Sequence, residues 1–508
     1  MRYLVTGAEM KRLDKATMEK IGIPSLVLME RAALESFYVL KEKGLVKQGA
    51  YALILAGYGN NGGDGLALTR MLCEAGVQVE VLPVGEEAKA TESWRVQKNI
   101  LNAYPVCFVN TLEEKAYDFV IDALFGVGLS RNLSGEWLQA IEKANLLKGV
   151  KVALDVPSGV CPDDGRILGT AFMADFTITF GFEKLGLWLY PGRERAGEII
   201  LRDVGISERA FLGEEPGCFT LEDEISELLP QRRKDGNKGT FGKALIVAGG
   251  FQMAGAAVLC AKACYGAGAG MVKVVTDPGN RVIVQEVVPE ALYGSVDVEK
   301  EIRDAYAWCD VACIGPGIGK GDSAASTLRF LLDPADEKMP GKPLVLDADA
   351  INLISESSEL LRALKQQGKL GRTVILTPHL LEMLRLWNGL FVNEKMELAQ
   401  LKLAVRECAG RLSKELGVIV VAKDARTFIC ADGRPACLNL SGNSGMATAG
   451  SGDVLAGMIT AFLAQSKGTD EDAFLLTCKA VRYHGLMGEN AARGKGEHGV
   501  MARDLIPQ

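Results

Sequence analysis

Short apolar runs with the character of β-strands alternate with helical patterns along all 508 residues of this chain. Because parallel strands are joined by long crossovers, usually helices, this alternation predicts parallel sheets that are covered by helices. In the first half, the predicted strands are Tyr51–Ala56, Gln78–Leu82, Phe119–Ala123, Lys151–Val156 and Phe176–Phe180. In the second half, they are Ala244–Ala248, Val272–Thr276, Val311–Gly315, Pro343–Asp347, Val374–Thr377 and Gly417–Ala422. The predicted fold class is α/β, with two doubly wound domains.

The first residues of the chain allow two interpretations. The segment Tyr3-Leu4-Val5-Thr6-Gly7-Ala8 has the character of a first strand of a dinucleotide-binding domain, but no GxGxxG follows it. Thr6 and Glu9 instead have the spacing of a capping box, which predicts a helix that runs through Lys20. We favour the capping box, and we predict a second helix over Ser25–Leu40.

The chain is too long for a single hydrophobic core, so more than one domain is expected. The segment Glu208–Asp223 lacks a periodic pattern and contains Gly213 and Gly217. We place the domain boundary in this segment, which predicts one domain over residues 1–212 and another over residues 218–508.

The charge and the cysteine content exclude several classes of function. The net charge is −7 without any block of Lys or Arg, which argues against nucleic acid or an anionic membrane as a partner. The twelve cysteines form no CxxC pair and only three histidines occur, so reduced thiols in a cytoplasmic protein are expected. No signal peptide or membrane span is predicted, because charges interrupt the long apolar runs, as Lys262 does within Ala254–Met271.

A glycine-rich segment, Gly57–Gly65, is predicted to join a strand to a helix over Leu66–Glu74. Five glycines in nine residues exceed what a turn needs, and they suggest backbone N–H groups that face a phosphate or a sugar. The segment has neither the Lys-Ser/Thr of a P-loop nor the spacing of a Rossmann fingerprint. The motif therefore predicts an anion or nucleotide site without naming its ligand.

Two further predicted strands of the first half end in polar residues, with Asp122 on one and Asp155 and Ser158 on the other. Since the carboxyl ends of parallel strands border the ligand crevice, we expect these side chains and Asn61 to share one site. All four offer oxygen, which favours a hard cation and leaves one carboxylate for acid–base chemistry. A role as a plain helix cap is the alternative for each single aspartate.

The most informative segment of the second half is Gly450-Ser451-Gly452-Asp453, which lies ahead of an apolar helical pattern. The glycines and the helix start predict an anion hole, and Asp453 suits a base for a hydroxyl that receives a phosphoryl group. A simple N-cap role for Asp453 is the alternative. Lys423 and Arg426 are candidate phosphate partners or solvated charges, and His379 either binds a ligand or caps a helix.

Four segments of the first half together resemble the NAD(P)H-hydrate epimerase domain, over roughly residues 1–210. They are Ser25–Ala32, Gly57–Gly65, Asp122–Leu129 and Leu154–Gly159. The resemblance implies epimerisation at the hydrated C6 carbon of damaged NAD(P)H, with Asp155 as the catalytic residue and a potassium ion on Asn61, Asp122 and Ser158. The residues implied to contact the hydrated dinucleotide are Asn60, Asn61, Gly62, Gly63, Asp64, Gly126, Val127, Gly128, Leu129, Ser130, Arg131, Asn132 and Asp155.

The second half resembles the ribokinase-like fold and, within it, the ADP-dependent NAD(P)H-hydrate dehydratase, over about residues 235–505. The segments that carry the resemblance are Asn237–Lys243, Gly249-Gly250, Gly315–Gly319, Asp347–Asn352, Thr377-Pro378-His379, Lys423–Thr427, Gly450–Asp453, His484-Gly485 and Ala502–Leu505. The residues implied to contact the hydrated dinucleotide are Ala256, Gly317, His379 and Asp453. Those implied to contact the adenine nucleotide are Lys423, Asp424, Ala425, Arg426, Thr427 and Gly452.

Three positions depart from the patterns of these families. Ala33 stands where a glycine is common in the epimerase domain, which concerns packing more than chemistry. Asp424 and Leu381 stand where the dehydratase commonly has glycine. Asp424 would place a like charge near the nucleotide phosphates, so it is expected to point outward or to meet Arg426.

Together the two resemblances imply one repair function. Hydrated nicotinamide forms in two epimers, and a dehydratase that is selective for the S form needs an epimerase to convert the R form. The dehydratase would phosphorylate the ring hydroxyl from ADP or ATP and then eliminate phosphate to restore NAD(P)H. K⁺, Mg²⁺ and a cytoplasmic homo-oligomer, a tetramer or larger, are also implied. The alternatives are a small-molecule kinase in the second half and a non-catalytic nucleotide-binding scaffold in the first.

Overall fold

The chain forms two compact units in the computed structural model, which describes residues 1–332 and 341–507. The first unit is Tyr3–Cys218, and the second is Phe219–Gln508 together with Met1 and Arg2. The boundary between the units lies within the segment Glu208–Asp223, which lacks a periodic pattern. Each unit is built on a mainly parallel sheet with helical connections, so the prediction of two doubly wound α/β folds is confirmed.

The first 217 residues contain nine strands and six α-helices. The strands are β1 (Arg2–Val5), β2 (Tyr51–Ala56), β3 (Gln78–Pro83), β4 (Cys107–Phe108), β5 (Ala116–Ala123), β6 (Lys148–Leu154), β7 (Phe176–Phe180), β8 (Glu183–Lys184) and β9 (Glu198–Arg202). The helices are α1 (Gly7–Ala16), α2 (Ser25–Glu42), α3 (Asn60–Glu74), α4 (Glu92–Leu101), α5 (Gly135–Leu146) and α6 (Arg193–Ala196). Short 3₁₀ helices cover Glu87–Lys89, Leu185–Leu187 and Glu208–Phe211.

The main sheet of the first unit has the strand order β4-β3-β2-β5-β6-β7-β9, and every neighbouring pair is parallel. The order reverses between β2 and β5, and open sheets of this kind bind ligands where such a reversal occurs. A separate parallel pair joins β1 to β8 through Leu4 with Glu183 and Val5 with Lys184. This pairing delivers Lys184 to the edge of the crevice described below.

The structure contains elements of both interpretations of the N-terminus. The strand β1 is present, which the preference for a capping box alone does not predict. The capping box is present as well, because Thr6 Oγ1 accepts a hydrogen bond from Glu9 N (3.2 Å) while Thr6 N donates to Glu9 Oε2 (2.7 Å). The helix α1 ends at Ala16 and is followed by a π-helical turn over Thr17–Ile21, close to the predicted end at Lys20.

The helix α3 begins at Asn60, so the predicted start at Leu66 is wrong. A Cβ atom on Gly62 would lie 1.7 Å from the carbonyl oxygen of Gly57, and a Cβ atom on Gly65 would lie 2.7 Å from Cβ of Ala123. Glycine is required where the backbone of a helix approaches its neighbours this closely. The glycines that suggested a loop therefore form the first turns of a tightly packed helix.

The second unit contains the remaining elements. Its strands are β10 (Cys218–Thr220), β11 (Lys243–Val247), β12 (Met271–Thr276), β13 (Leu292–Ser295), β14 (Val311–Ile314), β15 (Leu344–Leu346), β16 (Val374–Leu376), β17 (Ile419–Ala422), β18 (Thr427–Cys430) and β19 (Ala436–Asn439). Its helices are α7 (Ile225–Leu228), α8 (Ala254–Gly266), α9 (Arg281–Val287), α10 (Glu299–Trp308), α11 (Asp322–Leu332), α12 (Asp349–Glu356), α13 (Ser358–Lys369), α14 (Leu380–Leu390), α15 (Leu398–Lys402), α16 (Val405–Leu416), α17 (Ser451–Gln465) and α18 (Ala473–Lys495). Short 3₁₀ helices cover Pro278–Asn280, Ser444–Met446, Glu497–Gly499 and Ala502–Leu505.

The sheet of this unit runs β13-β12-β11-β14-β15-β16-β17 in parallel and continues antiparallel through β18 and β19. The order reverses between β11 and β14, which again marks a ligand crevice. The helix α17 is buried from Val454 to Ala464, which explains why its sequence is apolar on every side. Within the described residues, no helix has both the length and the apolar character that a membrane crossing needs.

Candidate active sites

A cavity of about 590 Å³ lies at the carboxyl ends of β2, β5 and β6 in the first unit. Part of its wall is apolar and comes from α1 and α2, including Met10, Leu28 and Met29. Lys11 and Arg131 are among the charged residues of the lining. Such a combination suits a ligand that joins a flat ring to anionic groups.

Asp155 lies at the end of β6 in a left-handed backbone conformation, with φ of 67°. Its N–H group donates to the carbonyl of Ile178 (2.7 Å), and its Oδ1 accepts a hydrogen bond from Lys184 Nζ (2.5 Å). The same ammonium group donates to Thr179 Oγ1 (3.1 Å) and to the carbonyl of Phe180 (2.9 Å). Strained backbone of this kind persists where surrounding contacts hold it, and it clusters at functional sites.

Two further carboxyl groups line the same cavity. Burial raises the pKa of Asp14 to about 6, Lys184 lowers it and Asp155 raises it. Burial also raises the pKa of Asp64 well above its ordinary value, and the charges of Asp155 and Asp14 raise it further against the opposing effect of Lys184. The cavity therefore brings Asp14, Asp64 and Asp155 together with Lys184, and carboxyls with raised pKa values can carry protons near neutral pH.

Asn61, Asp122 and Ser158 are all buried, and hydrogen bonds join Asp122 to Ser158. Asp122 Oδ2 accepts from Ser158 N (2.7 Å), and Asp122 Oδ1 accepts from Ser158 Oγ (2.7 Å) and Leu124 N (3.1 Å). Burial nevertheless raises the pKa of Asp122 to about 6. Asn61 Nδ2 donates to the carbonyl of Leu154 (3.2 Å), whereas the buried Asn61 Oδ1 has no hydrogen-bond partner among the described residues. The orphan oxygen of Asn61 and a buried carboxyl whose pKa is raised by burial fit a monovalent cation.

The cavity wall includes eight of the thirteen residues predicted to contact the hydrated dinucleotide. They are Asn60, Asn61, Asp64, Gly126, Val127, Gly128, Arg131 and Asp155. A Cβ atom on Gly126 would lie 2.7 Å from Asp155 Oδ2, so glycine is needed there. Gly62 and Gly63 pack against the backbone of Gly57 and the side chain of Met29 instead, and the five not in the wall are Gly62, Gly63, Leu129, Ser130 and Asn132. Sequence analysis missed Asp14 and Lys184, which lie far from the other motifs along the chain.

In the second unit, Gly450 is the N-cap of α17, with φ of 92°. The alternative that Asp453 caps this helix is therefore wrong, because Asp453 lies inside the first turn. The N–H groups of a first turn lack acceptors within the helix, so they are available to an anion. Burial raises the pKa of Asp453 to about 6, the charges of Asp347 and Asp349 raise it, and Lys423 lowers it. A carboxylate of this kind can accept a proton near neutral pH.

Residues at the ends of β15, β16 and β17 surround the start of α17. Asp347 Oδ1 accepts hydrogen bonds from Lys423 Nζ (2.7 Å) and from Thr377 Oγ1 (2.6 Å). A Cβ atom on Gly452 would lie 3.3 Å from Lys423 Nζ, so the ammonium group lies beside the helix start. Burial lowers the pKa of Lys423, but Asp347 and other carboxylates raise it overall. Asp347 appeared only as part of a motif in the sequence, and its contact with Lys423 shows that it positions this cation.

His379 is the N-cap of α14, which confirms the capping interpretation. Its Nδ1 accepts from Leu381 N (3.1 Å) and Glu382 N (3.3 Å), and its Nε2 lies 3.2 Å from Glu382 Oε1. Burial lowers the pKa of His379, and the nearby charges of Lys423 and Arg385 lower it further. The ring is half exposed, so a ligand contact through its outer edge stays a prediction.

Among the other predicted residues of this unit, Ala256 and Gly317 are predicted to contact the hydrated dinucleotide, and the rest are predicted to contact the adenine nucleotide. Gly317, at φ of 59°, packs against Ala256, because a Cβ atom on Gly317 would lie 3.0 Å from Cβ of Ala256. Asp424 and Ala425 are exposed at the turn between β17 and β18, as expected for an outward-facing Asp424. Arg426 Nη1 donates to the carbonyl of Leu440 (2.9 Å). The nucleotide contacts of Asp424, Ala425, Arg426, Thr427 and Gly452 stay predictions.

Comparisons with known proteins agree with this division. The protein-family model described as NAD(P)H-hydrate dehydratase matches residues 244–508, and the model described as YjeF-related protein N-terminus matches residues 25–186. The fold and the two sites thus define a fusion of two α/β enzyme domains, one of which is a nucleotide-dependent dehydratase. The chain belongs to the family of bifunctional NAD(P)H-hydrate repair enzymes.

Two relatives and one solved structure illustrate the match. The chain is 35% identical to a bifunctional NAD(P)H-hydrate repair enzyme of Thermofilum pendens over 98% of this chain and 94% of the relative. It is 32% identical to one from Moorella thermoacetica, over 99% of this chain and 95% of the relative. A solved ADP/ATP-dependent NAD(P)H-hydrate dehydratase of Bacillus subtilis, co-crystallised with ATP and Mg²⁺, is 28% identical over 55% of this chain and 92% of that chain, with a TM-score of 0.45.

Proposed function

We propose that the first unit interconverts the R and S epimers of hydrated NAD(P)H, and that the second unit dehydrates the S epimer. ADP is the co-substrate of the second reaction and is converted to AMP and phosphate. The observation that carries this proposal is that one chain holds two separate sets of acid–base carboxyls, each at the carboxyl ends of a parallel sheet. The chain matches a bifunctional NAD(P)H-hydrate repair enzyme along 98% of the chain's length, which supports the assignment of both sets of carboxyl groups to one substrate class.

The first reaction requires one proton to move reversibly. The C6 carbon of the hydrate bears a hydroxyl group and the ring nitrogen N1, so loss of the hydroxyl proton opens the C6–N1 bond and forms a carbonyl group. Asp155 accepts this proton and passes it to N1, and closure onto the other face of the carbonyl gives the other epimer. The apolar part of the cavity wall is the proposed site of the ring, and Arg131 and the first turn of α3, which also line the cavity, are the proposed partners of the diphosphate.

We propose that K⁺ is held by Asn61, Asp122 and Ser158 in the first unit. The orphan oxygen of Asn61 and the buried carboxyl of Asp122 support this assignment. A bound cation would supply positive charge close to the substrate diphosphate and would lower the electrostatic cost of binding it. The set contains one carboxylate, which suits a single positive charge better than a divalent ion.

In the second unit, Asp453 accepts the proton of the C6 hydroxyl while the oxygen attacks the terminal phosphorus of ADP, and AMP leaves. The first turn of α17 and Lys423 stabilise the transferring phosphoryl group. Phosphate then leaves C6, a proton leaves C5, and the nicotinamide ring of NAD(P)H is restored. A Mg²⁺ ion on the nucleotide phosphates would neutralise part of their charge, as is usual for phosphoryl transfer.

One assay tests both activities in the full chain. A mixture of hydrate epimers is incubated with ADP or with ATP, and the recovery of NADH absorbance is followed to completion. We expect nearly all of the hydrate to be recovered, because the epimerase feeds the R form to the dehydratase. Recovery of only the S fraction would favour a non-catalytic scaffold in the first unit. Nucleotide-dependent phosphorylation of another small alcohol, without recovery of NADH, would favour the kinase alternative.

The expected cytoplasmic location and the expected homo-oligomer complete the proposal. Hydrated NADH and NADPH arise wherever the reduced cofactors are used, and the cytoplasm is a major site of that use. Size-exclusion chromatography with light scattering tests the subunit number, and a tetramer or a larger assembly is the expected result.

A further inference from the structure

We propose that Lys184 is a positioning residue of the first site, whose ammonium group keeps the carboxylate of Asp155 charged and oriented for proton transfer. This inference rests on the proposed epimerase function and deepens it. Lys184 acts through Asp155, and it is not required to touch the substrate. Nothing in the motifs of the sequence pointed to this residue, because it lies in a two-residue strand away from the glycine-rich segments.

The contacts of Lys184 use its whole hydrogen-bonding capacity. An ammonium group has three N–H donors, and here they meet Asp155 Oδ1, Thr179 Oγ1 and the carbonyl of Phe180. The side chain is 1% exposed, and lysine is almost never buried to that degree unless it is paired. Two of the three acceptors are neutral, so they fix the direction of the ammonium group, while Asp155 supplies its countercharge.

The charges around Asp155 explain why a fixed cation is needed. Asp14 on α1 and Asp64 on α3 face Asp155 across the cavity, so they oppose its negative charge. Lys11, Glu86, Lys89 and Arg131 also line the cavity, and Lys89 is paired with Glu86 (2.7 Å). Burial raises the pKa values of Asp14 and Asp64, whereas Asp155 is the carboxyl group in direct contact with the Lys184 ammonium group. The ammonium group thus pairs with one of these three carboxyl groups and fixes its orientation.

A purely structural role is the competing explanation. Lys184 joins the end of β7, through Phe180 and Thr179, to the pair formed by β8 and β1. If this link were its only role, its loss would lower stability or the amount of active protein, but the pH dependence of the remaining activity would not change. A role through Asp155 predicts a change in pH dependence, so the pH–rate profile separates the two explanations.

The experiment measures epimer interconversion by the full-length chain without nucleotide, from acid to alkaline pH, by separating the R and S hydrates chromatographically. In Lys184→Met, we expect the acid limb of the kcat profile to move to higher pH by about 1–3 units, the usual effect of one adjacent opposite charge. Turnover should fall at neutral pH and recover at alkaline pH, while KM changes little. Lys43→Met is the matched control, because it removes an exposed lysine that pairs with Glu198 (2.5 Å) in the same unit.

Loss of Lys184 leaves a buried carboxylate without its cation, which threatens folding. Thr179→Val therefore provides a second measurement, since it keeps both charges and removes one anchor of the ammonium group together with the long hydrogen bond from Thr179 Oγ1 to Asp155 Oδ1 (3.5 Å). We expect a smaller displacement of the acid limb in the same direction. An acid limb at the position of the parent protein, in folded Lys184→Met or in Thr179→Val, overturns the proposal. A parent protein that does not interconvert the epimers overturns the proposed function as well, so the two failures are distinguishable.

Discussion

Each candidate active site contains at least one carboxyl group whose burial disfavours its charged form. Asp453 in the second unit lies inside the first turn of α17, and the pKa of about 6 places its titration close to neutral pH. In the first unit, Asp155 instead receives a direct ammonium contact, while its neighbours Asp14 and Asp64 are the groups with raised pKa values. The environments of the two proposed bases therefore differ, because charges on several sides surround Asp453 whereas a direct ion pair holds Asp155.

Replacement of Asp453 by asparagine tests its role as the general base. Asp453→Asn keeps the size of the side chain, and Gly450 rather than Asp453 caps the helix, so the fold should persist. Loss of a general base typically costs about 10²- to 10⁴-fold in rate, and we expect a decrease of that size in dehydratase turnover. Nucleotide affinity, measured by calorimetry, should change little because Lys423 and backbone N–H groups remain. A variant with lowered stability but normal specific activity would contradict this role.

The pH dependence of dehydration follows from the same group. Asp453 accepts a proton only when it is ionised, and its pKa is raised to about 6. We therefore expect turnover at saturating nucleotide to decline as the pH is lowered through about 6. Above neutral pH, Asp453 is ionised and should cause no further change in turnover. The residual activity of Asp453→Asn should lack this decline. An identical decline in that variant would assign the titration to another group.

The potassium site predicts a change in ion dependence when the charge of Asp122 is removed. Asp122→Asn keeps the volume of a side chain that is completely buried, and it removes the one carboxylate of the proposed donor set. We expect epimerisation by this variant to lose its response to added K⁺ and its substrate affinity to fall. Asp118→Asn, an exposed position on the same strand β5, should keep the response of the parent protein. Equal K⁺ dependence in both variants would contradict the assignment.

At the scale of elements, the close approach of α3 to the preceding turn is the most demanding packing feature. A Cβ atom on Gly62 would lie 1.7 Å from a carbonyl oxygen, whereas nothing lies within 4 Å of a Cβ atom on Gly59. We expect Gly62→Ala to destabilise the first unit by at least about 3 kcal/mol, the upper end of ordinary overpacking, and Gly59→Ala to change its stability little. Denaturant unfolding of both variants tests this comparison. Equal stability of the two would contradict the packing argument.

The longer strands were predictable because their apolar runs are buried on both faces of a parallel sheet. All eleven predicted strands are present, and their bounds differ from the structure by a few residues at most. The strands that were not predicted are β9, β10, β13, β18 and β19 and the two-residue strands β4 and β8. Two residues carry no periodic pattern, and the other five are only three to five residues long. The start of α3 was misplaced because glycine is common in loops, and only the tertiary contacts reveal why it is needed in a helix here.

Whether a site residue could be predicted depends on how close it lies, along the chain, to a recognisable motif. Asp155 and Asp453 were found because each adjoins a glycine-rich or strand-end motif. Asp14 and Lys184 were missed, since they reach Asp155 only through the pairing of β1 with β8 and the position of α1. Contacts of this kind depend on tertiary structure and leave no signal in spacing.

At the scale of the whole molecule, the division into two units predicts that the two activities are separable. Gly217 N donates to Glu9 Oε1 (2.7 Å), so a fragment of the first unit should extend to Cys218 instead of ending near residue 212. We expect residues 1–218 to interconvert the epimers without nucleotide, and residues 219–508 to dehydrate the S epimer alone. Chromatography of the two hydrates with each fragment measures this. A first fragment that binds the hydrate without converting it would support a scaffold role.

The left-handed backbone of Asp155 also constrains how the protein can evolve. Glycine adopts such a φ without strain, and asparagine and aspartate do so more readily than most other residues, so most single replacements at this position would strain the end of β6 as well as remove the proposed base. A lineage that no longer needs the first activity would therefore drift to asparagine or glycine here and retain an intact but silent domain. Descendants with alanine or a branched side chain would instead carry a backbone strain of about 1–2 kcal/mol at the end of β6.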